Sequence, residues 1–252
     1  MQDVPWCAPA IRDFIGEPIM IKRIAVLLSL AAVSGLAFAQ AAPQQWVEGQ
    51  QYFAIPNPQP THQPDKVVVT EVFSFGCPAC NGFQPFIDKL RAELPQGTVL
   101  EFVPASWHPN EDWPVFQRAY FAAKSLGVDN AQSHDAVFKA IWDPNGPLAT
   151  YDPATQRPKA EANLPKLEDV AKFYARFGAK PDEFVATANS FAVNLEMKRA
   201  DQQIIAWGVT STPTIIVDGK WRADTASAKG AQQLVDLTLY LVNRELAAKK
   251  AK

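Results

Sequence analysis

The spacing of apolar residues changes several times along the chain, and each spacing predicts a different element. A polar, proline-rich lead-in contains one short edge strand at Gln51 to Ile55. The nearly continuous apolar run from Val67 to Phe75 predicts a central strand buried on both faces. A helix is predicted over Phe83 to Leu94, with a kink or a late first turn at Pro85, and alternation over Thr98 to Val103 predicts a second strand.

The long middle section has the period of amphipathic helices. Apolar residues share a helical face in three groups: Val115, Phe116, Ala119, Tyr120 and Ala123; Leu167, Val170, Ala171 and Tyr174; and Phe184, Ala188, Phe191 and Leu195. Turn residues at 143–147 and 151–158 predict exposed loops between the helices.

Strand character returns near the C-terminus. Thr214 to Val217 predicts a strand, a turn leads to a short partner around Trp221, and Gln232 to Leu246 predicts a final helix. A sheet interrupted by helices is most simply an α/β domain that carries an inserted all-helical domain. We expect the first part of the α/β domain at residues 40–108, the helical insertion at 109–205 and the second part at 206–252.

The residues before position 40 have the layout of an N-terminal extension followed by a secretory signal peptide. Met20 opens a second possible start, followed by a basic pair, an apolar run from Ile24 to Leu36 and the cleavage motif Ala37-Phe38-Ala39. The apolar run is too short for a membrane span with these flanks, so the mature protein is expected to begin near Gln40. Residues 1–19 are interpreted as an over-extended gene prediction, with a genuine longer presequence as the alternative.

Composition and charge exclude some classes of function. A chain of 252 residues with 48% hydrophobic content can bury a full core. The net charge of -2 and the scattered Lys and Arg residues give no reason to expect a nucleic-acid partner. The one basic cluster, Lys249, Lys250 and Lys252, is interpreted as a frayed, solvated tail.

Cysteine usage points to the candidate chemistry. Cys7 falls in the segment expected to be removed, which leaves Cys77 and Cys80 as one pair two residues apart. An exported protein with one such pair has no disulfide framework, and it lacks the second pair of a four-thiolate zinc site. We therefore expect no metal and no dissolved cofactor.

Cys77 is the predicted nucleophile and Cys80 the resolving thiol. A strand-to-helix junction offers unpaired backbone N–H groups and a partial positive charge, which favour a thiolate over a thiol. We expect the Cys77 sulfur to face solvent and Cys80 to lie one turn inside, with Pro78 suited to the first helical turn. A structural disulfide is the alternative, although a bridge across so small a loop stabilises little.

Glu71 is the unusual residue of the first central strand. A carboxylate in a buried strand is costly unless it handles protons or reaches water. A raised-pKa acid beneath Cys80 could accept and return its proton, while the alternative is a solvated residue on an outward face. Further along, Thr212 and Pro213 precede the returning strand, where a cis peptide bond would aim the Thr212 backbone at an extended substrate.

The three histidines and the aromatic residues suggest packing roles. His62, His108 and His134 have no ligand spacing, so surface or core positions are expected. The aromatic residues near the cysteines are expected to be core, together with Trp107, Trp113, Trp142 and Trp207.

Three matches in the expected order show that the chain resembles the DsbA family of bacterial periplasmic thiol:disulfide interchange proteins. They are Glu71 to Cys80 (EVFSFGCPAC), Gly208 to Thr214 (GVTSTPT) and Val217 to Lys220 (VDGK), with the helical section between the first two. The resemblance implies a thioredoxin fold with an inserted helical domain and oxidation of exported proteins. It also implies re-oxidation by a DsbB-like membrane quinone reductase, a cis Pro213 facing the cysteines and Glu71 as the buried acid.

Two positions depart from the family pattern. Most members have His where Ala79 stands, and that imidazole helps stabilise the thiolate, so a less acidic Cys77 and a less oxidising disulfide are expected here. Thr212 stands where the type member has Val, and Thr is more typical of reducing or isomerising relatives.

These inferences combine into one expected function. We expect a monomeric periplasmic oxidoreductase that donates the Cys77–Cys80 disulfide to unfolded or reduced exported proteins, with Thr212, Pro213, Pro78 and Ala79 contacting substrate. A reductase or isomerase on the same fold is one alternative, although too few residues precede the first strand for the dimerisation domain of DsbC-like isomerases. The other is a non-catalytic peptide-binding chaperone.

Overall fold

A computed structural model describes residues 46–107, 112–155 and 157–251 of the protein. The signal-peptide prediction, Cys7 and His108 lie outside the described residues. Five strands in this part form one sheet in the order β1-β5-β4-β2-β3. Their bounds are β1 Phe53–Ala54, β2 Val67–Phe73, β3 Thr98–Pro104, β4 Thr214–Val217 and β5 Trp221–Asp224.

Seven α-helices and two short 3-10 helices make up the rest of the described secondary structure. The α-helices are α1 Pro78–Glu93, α2 Trp113–Ser125, α3 Ala131–Trp142, α4 Leu167–Tyr174, α5 Pro181–Ala188, α6 Phe191–Ala206 and α7 Ala231–Lys250, and the 3-10 helices are Glu161–Asn163 and Ala175–Phe177. The chain therefore follows the predicted order of strand, helix, strand, helical section, two strands and helix. None of the helices in the described part combines the length and apolar character needed to cross a membrane.

Strand β2 is the centre of the sheet, as its apolar sequence predicted. It pairs parallel with β3 and antiparallel with β4, and all seven of its residues are buried. Val67 and Val69 pack in one apolar cluster with residues of α1 and α7, whereas Val72 packs in a second cluster with the helical section. Because β2 is covered on both faces, any polar side chain within it must lie in the protein interior.

Helix α1 begins at Pro78, five residues before the predicted start at Phe83. Proline suits the first helical position because its missing N–H would have no partner there. The helix also continues through Pro85. The early start matters because it places the two cysteines at the N-terminus of the helix.

The prediction that one helical face carries Phe184, Ala188, Phe191 and Leu195 is wrong. Helix α5 ends at Ala188, and a new helix, α6, begins at Phe191, with the Ser190 hydroxyl accepting a hydrogen bond from the Val193 N–H at 3.2 Å. A serine at this position caps a helix start more effectively than it extends a helix interior. Phe191 is accordingly 82% exposed while Phe184 is fully buried.

The C-terminal lysines are only partly a solvated tail. Helix α7 extends to Lys250. The Lys249 ammonium lies 3.0 Å from the Pro64 carbonyl oxygen and 3.3 Å from the buried Asp218 carboxylate. This end of α7 is thus tied to the turn between β4 and β5 and to the lead-in segment.

Candidate active site

The two cysteines occupy the first turn of α1, directly after the end of β2. Four residues, Ser74 to Cys77, connect β2 to α1. Ser74 holds this turn: its carbonyl accepts from the Cys77 N–H at 3.1 Å and its hydroxyl accepts from the Gly76 N–H at 3.2 Å. Cys77 is the N-cap residue of α1, with an extended backbone, and Pro78 follows as the first helical residue. Cys80 is therefore the third residue inside the helix.

Gly76 is required by the close approach of a second segment. A Cβ atom at this position would lie 2.8 Å from Asp112 Oδ2 and 2.9 Å from the Trp113 ring, closer than non-bonded atoms allow. Asp112 and Trp113 stand at the start of α2. The helical section thus packs directly against the residue that precedes Cys77.

The Cys77 thiol is acidic. Its pKa is lowered from 9.0 to about 6, chiefly by a hydrogen bond with the Cys80 side chain. Burial opposes this, while hydrogen bonds from the Thr212 side chain and from the backbone N–H groups of Cys80 and Ala79 lower the pKa further. A large fraction of Cys77 is therefore thiolate at neutral pH, which is the nucleophilic form.

Cys77 is less accessible to solvent than the sequence predicted. The residue is 6% exposed, and Cys80 is fully buried, whereas Pro78 and Ala79 between them are exposed. The reason is that other segments close over the first turn, including the start of α2 and the segment around Thr212. The exposed surface next to Cys77 in the chain belongs to Pro78 and Ala79.

The Cys80 thiol is less acidic than an ordinary cysteine thiol, in contrast to that of Cys77. Burial raises its pKa well above the usual value, and so do its hydrogen bond to Cys77 and the nearby charges of Glu71 and Cys77. The pair therefore combines one thiol that ionises easily with one that holds its proton. A thiol that ionises easily can act as a nucleophile, whereas a thiol that holds its proton cannot.

Glu71 lies in the interior, so the solvated alternative does not hold. It sits between Phe102 of β3 and Ile215 of β4, and it is fully buried. Side chains alternate along a strand, so Glu71 shares the face of Val67 and Val69, which is the face covered by α1.

The surroundings of Glu71 favour its protonated form. Neither carboxyl oxygen has a hydrogen-bond partner among the residues that the structure describes. Burial raises its pKa well above 4.5, the charge of Cys77 adds to the rise, and Arg91 partly opposes it. An acid with a raised pKa beside the cysteine pair can give and take a proton.

The segment around Thr212 reaches the cysteines from the other side of the chain. The Thr212–Pro213 peptide bond is cis, as the family resemblance implied. The Cys77 thiol donates to the Thr212 carbonyl oxygen, with 3.6 Å between sulfur and oxygen, across 135 positions of sequence. Pro213 is buried, and Thr212 is partly exposed beside the sulfur.

Some residues of the site had no recognisable sequence signal. Trp142, expected to be core, donates its indole N–H to the Phe75 carbonyl at 2.9 Å, and its ring lies 5.3 Å from that of Tyr151. Arg91 influences Glu71 from the far end of α1. These roles depend on contacts between distant segments, and neither residue belongs to a recognisable motif.

The two histidines that the structure describes, His62 and His134, take the expected surface and packing positions. His62 is exposed and lies 2.9 Å from the Glu101 carboxylate. His134 is buried among Phe73, Phe75 and Phe102, and burial lowers its pKa to about 3. No group of three or more His, Cys, Asp or Glu residues in the described part of the chain has the arrangement of a metal site.

A strand-to-helix Cys-x-x-Cys pair opposite a cis proline defines a class of protein. The family model described as Thioredoxin matches residues 63–237, so the chain belongs to the thioredoxin family. Within that family it belongs with the thiol:disulfide interchange proteins named DsbA. The DsbA of Pseudomonas aeruginosa is 33% identical over 227 residues, which cover 90% of this chain and 97% of that protein. The DsbA of Azotobacter vinelandii is 30% identical and covers 79% and 85%.

Solved structures agree with this assignment. The crystal structure of Pseudomonas aeruginosa DsbA matches with a TM-score of 0.67 and 32% identity, covering 81% of this chain and 97% of that one. The oxidoreductase DsbA from Xylella fastidiosa matches with a TM-score of 0.68 and 30% identity, covering 81% and 100%. The protein is therefore a thiol–disulfide oxidoreductase, with a thioredoxin fold and a helical insertion.

Proposed function

We propose that this oxidoreductase acts as an oxidase, donating a Cys77–Cys80 disulfide to reduced cysteines of exported proteins in the periplasm. The observation that carries the proposal is the opposed acidity of the pair: the pKa of Cys77 is about 6 and that of Cys80 is raised. A disulfide whose reduced form contains a stabilised thiolate is a good electron acceptor, because reduction gains that stabilisation.

The first step is exchange at Cys77. A substrate thiolate attacks the Cys77 sulfur, a new sulfur–sulfur bond forms, and the Cys77–Cys80 bond breaks with its electron pair going to Cys80. The Cys80 thiolate is buried and has a raised pKa, so it takes a proton. Glu71 faces α1 and is held protonated by burial, so it is the proposed donor.

The second step releases the product. A second thiolate of the substrate attacks the substrate sulfur of the mixed disulfide, and Cys77 leaves as a thiolate. Thiols with a low pKa leave faster, so the same property that activates Cys77 also speeds its departure. The substrate loses two electrons, and the protein gains them as the Cys77 thiolate and the Cys80 thiol.

Substrate is proposed to bind around the exposed rim of the pair. Thr212 is partly exposed within 3.6 Å of the Cys77 sulfur, and Pro78 and Ala79 present the outer surface of the first helical turn. An extended substrate backbone would lie along Thr212 and Pro213. In this arrangement Cys77, Cys80 and Glu71 carry the chemistry. The residues that position the substrate are Thr212, Pro213, Pro78 and Ala79.

Partners and location follow from the family. Relatives of this chain are named thiol:disulfide interchange proteins, and reduced exported proteins are the proposed substrates of the present chain. The proposed signal peptide at residues 1–39 supports export to the periplasm. Re-oxidation by a DsbB-like membrane quinone reductase and a monomeric state belong to the same proposal.

The domain boundaries also remain proposals. Residues 40–108 and 206–252 would form the thioredoxin-like part, and 109–205 the helical insertion. The described elements support these limits, because α2 to α6 lie between β3 and β4 in sequence.

Trapping of intermediates tests the oxidase proposal. Cys80→Ala removes the resolving thiol, so mixed disulfides between Cys77 and exported proteins should accumulate and be visible on non-reducing gels. Cys77→Ala is the matched control, because it keeps one thiol of the pair and should trap nothing. Adducts that form equally with both variants, or with neither, would refute Cys77 as the attacking residue and favour a peptide-binding role.

The direction of electron flow needs a separate measurement. Ala79 and Thr212 both depart from the pattern of oxidising relatives, which favours a reductase as the second candidate. Equilibration of the pair with a glutathione buffer gives its potential. A value near that of thioredoxin, about -270 mV, would favour the reductase, and a clearly higher value supports the oxidase.

A further inference from the structure

A pocket opens directly beside the cysteine pair, on the side of the helical section. It has a volume of about 230 Å³ and begins at Pro78, the residue that follows Cys77. Its other walls are Ile141, Trp142, Pro144, Tyr151, Asp152 and Pro153. No step of the proposed reaction uses this pocket.

The walls of the pocket are held in place. Three of the lining residues are prolines, whose backbone is restricted. Trp142 is fixed by the hydrogen bond from its indole N–H to the Phe75 carbonyl at 2.9 Å, and it packs against Tyr151 with ring centroids 5.3 Å apart. A rigid pocket of this kind loses little conformational entropy when a side chain enters it.

Asp152 supplies the only formal charge among the lining residues. Its Oδ1 atom accepts from the backbone N–H groups of Ala154 and Thr155 at 2.9 and 2.8 Å and from the Thr155 hydroxyl at 3.2 Å. These bonds lower the pKa of Asp152, led by the one from the Thr155 backbone, so the carboxylate stays ionised. All three bonds end on Oδ1, and none of the residues that the structure describes donates to Oδ2.

Lys159 is a cation close enough to act on Asp152, but its ammonium is engaged elsewhere. The Lys159 ammonium donates to the Ala149 carbonyl oxygen at 2.7 Å, although its charge still contributes to the low pKa of Asp152. Aromatic rings, proline carbons and one carboxylate together match a cationic side chain with an apolar stem, because rings and carboxylate both attract the cation. A purely apolar side chain would cover Asp152 without pairing its charge.

We propose that this pocket is a specificity subsite that takes a Lys or Arg side chain of the substrate close to its reactive cysteine. The inference rests on the proposed function, since only a substrate sulfur bonded to Cys77 brings neighbouring residues to Pro78. An extended chain advances about 3.3 Å per residue, so a side chain within three positions of the cysteine reaches the pocket. The protein then oxidises cysteines with a basic neighbour faster than others.

Peptide oxidation tests the subsite. Dithiol peptides carry Arg, Gln, Leu or Glu at each of the three positions on either side of the first cysteine, and kcat/KM is measured with the oxidised protein. At one or two positions Arg should exceed Gln about three- to tenfold, the size of an exposed ion pair combined with a cation–π contact. The preference should shrink at high ionic strength, where surface charges are screened.

Asp152→Asn isolates the charge. The Asn side chain keeps an oxygen for the Ala154 and Thr155 N–H groups, so the loop is preserved, and the Arg preference should disappear while oxidation of the Gln peptide is unchanged. Asp143→Asn is the matched control: Asp143 Oδ1 accepts from the Asn145 N–H at 2.9 Å in the same kind of turn, but the residue does not line the pocket. This control should keep the Arg preference.

The possible outcomes separate the two proposals. If no peptide is oxidised, the proposed function itself fails. If all peptides are oxidised at the same rate, or if Leu is preferred and Asp152→Asn changes nothing, the basic subsite is refuted while the oxidase proposal stands. A loss of preference in both Asp variants would indicate long-range attraction and would also refute the subsite.

Discussion

At the scale of single residues, Cys77 stands at the N-cap position of α1, although its side chain makes no capping hydrogen bond of the kind that Ser or Asp makes there. The hydrogen bond with the Cys80 side chain is the largest cause of the low Cys77 pKa, and the backbone N–H groups of Cys80 and Ala79 lower it further. The acidity of Cys77 therefore depends first on its partner thiol and then on the start of the helix.

Ala79→His should make Cys77 more acidic. Position 79 is exposed on the first turn of α1, and an imidazolium there adds a positive charge near the thiolate. We expect the Cys77 pKa to fall by about 1 unit and the disulfide to become more oxidising. The check is a titration of thiolate absorbance. Ala79→Gln, which adds a neutral side chain, should leave the pKa near 6, and an equal fall in both variants would contradict the charge argument.

Glu71→Gln should stabilise the protein at high pH and slow its chemistry. The folded pKa of Glu71 is raised above 4.5, so unfolding lets the carboxyl ionise once the pH exceeds 4.5, and stability is lost as pH rises toward the folded pKa. The Gln variant lacks that loss. Its gain in free energy of unfolding over the wild type should be larger at pH 8 than at pH 4, as urea denaturation of the oxidised forms can show.

The same variant removes the proposed proton donor to Cys80. Thiol exchange should slow by about tenfold or more if proton transfer contributes to the rate. An unchanged rate together with increased stability would assign Glu71 a purely electrostatic effect on folding.

At the scale of elements, α3 connects the helical section to the active-site turn. Its last residue, Trp142, donates to the Phe75 carbonyl, two residues before Cys77. Its first turn is held by a capping box, in which Asn130 Oδ1 accepts from the Ser133 N–H at 3.1 Å and Ser133 Oγ accepts from the Asn130 N–H at 2.9 Å. The start of α3 therefore contributes to the position of its end.

Asn130→Ala should weaken α3. Loss of the N-cap side chain leaves a helix N–H without its partner and should lower the free energy of unfolding by about 1 kcal/mol. Chemical denaturation measures this loss. Gln132→Ala, at an exposed position of the same turn, should change stability by less than about 0.5 kcal/mol, and equal losses in the two variants would refute the capping role.

At the scale of the whole molecule, the low pKa of Cys77 makes the stability of the reduced protein depend on pH in a way that the stability of the oxidised protein does not. The Cys77 pKa falls from 9.0 to about 6 on folding of the reduced protein. The pKa change stabilises the folded reduced protein. This stabilisation is fully present above pH 9 and is lost as the pH falls toward 6, whereas the oxidised protein has no Cys77 thiolate and no such pH dependence.

The reduced form should therefore gain stability relative to the oxidised form between pH 6 and pH 9. A pKa difference of this size corresponds to about 4 kcal/mol, and solvent screening makes the observed gain smaller. Denaturant unfolding of both redox forms across this pH range is the measurement. A stability difference that stays constant with pH would contradict the acidic thiol.

Much of the architecture could be predicted from the sequence because its patterns are local. Strand β2, the cysteine pair at the start of a helix and the two late strands were expected from apolar runs, turn residues and a spacing of two. The break between α5 and α6 was missed, because the apolar period continues across Asn189 and Ser190 while the Ser190 cap ends it.

Three properties of the site required the tertiary structure. The burial of Glu71 depends on α1 and on two neighbouring strands, the closeness of Thr212 to Cys77 spans 135 positions, and the pocket at Pro78 is walled by the end of α3 and the loop after it. The amino-acid sequence by itself determined that a reactive dithiol starts a helix after a buried strand. Only the packing of distant segments decided how acidic each thiol is and what surrounds it, because burial and charge act through space.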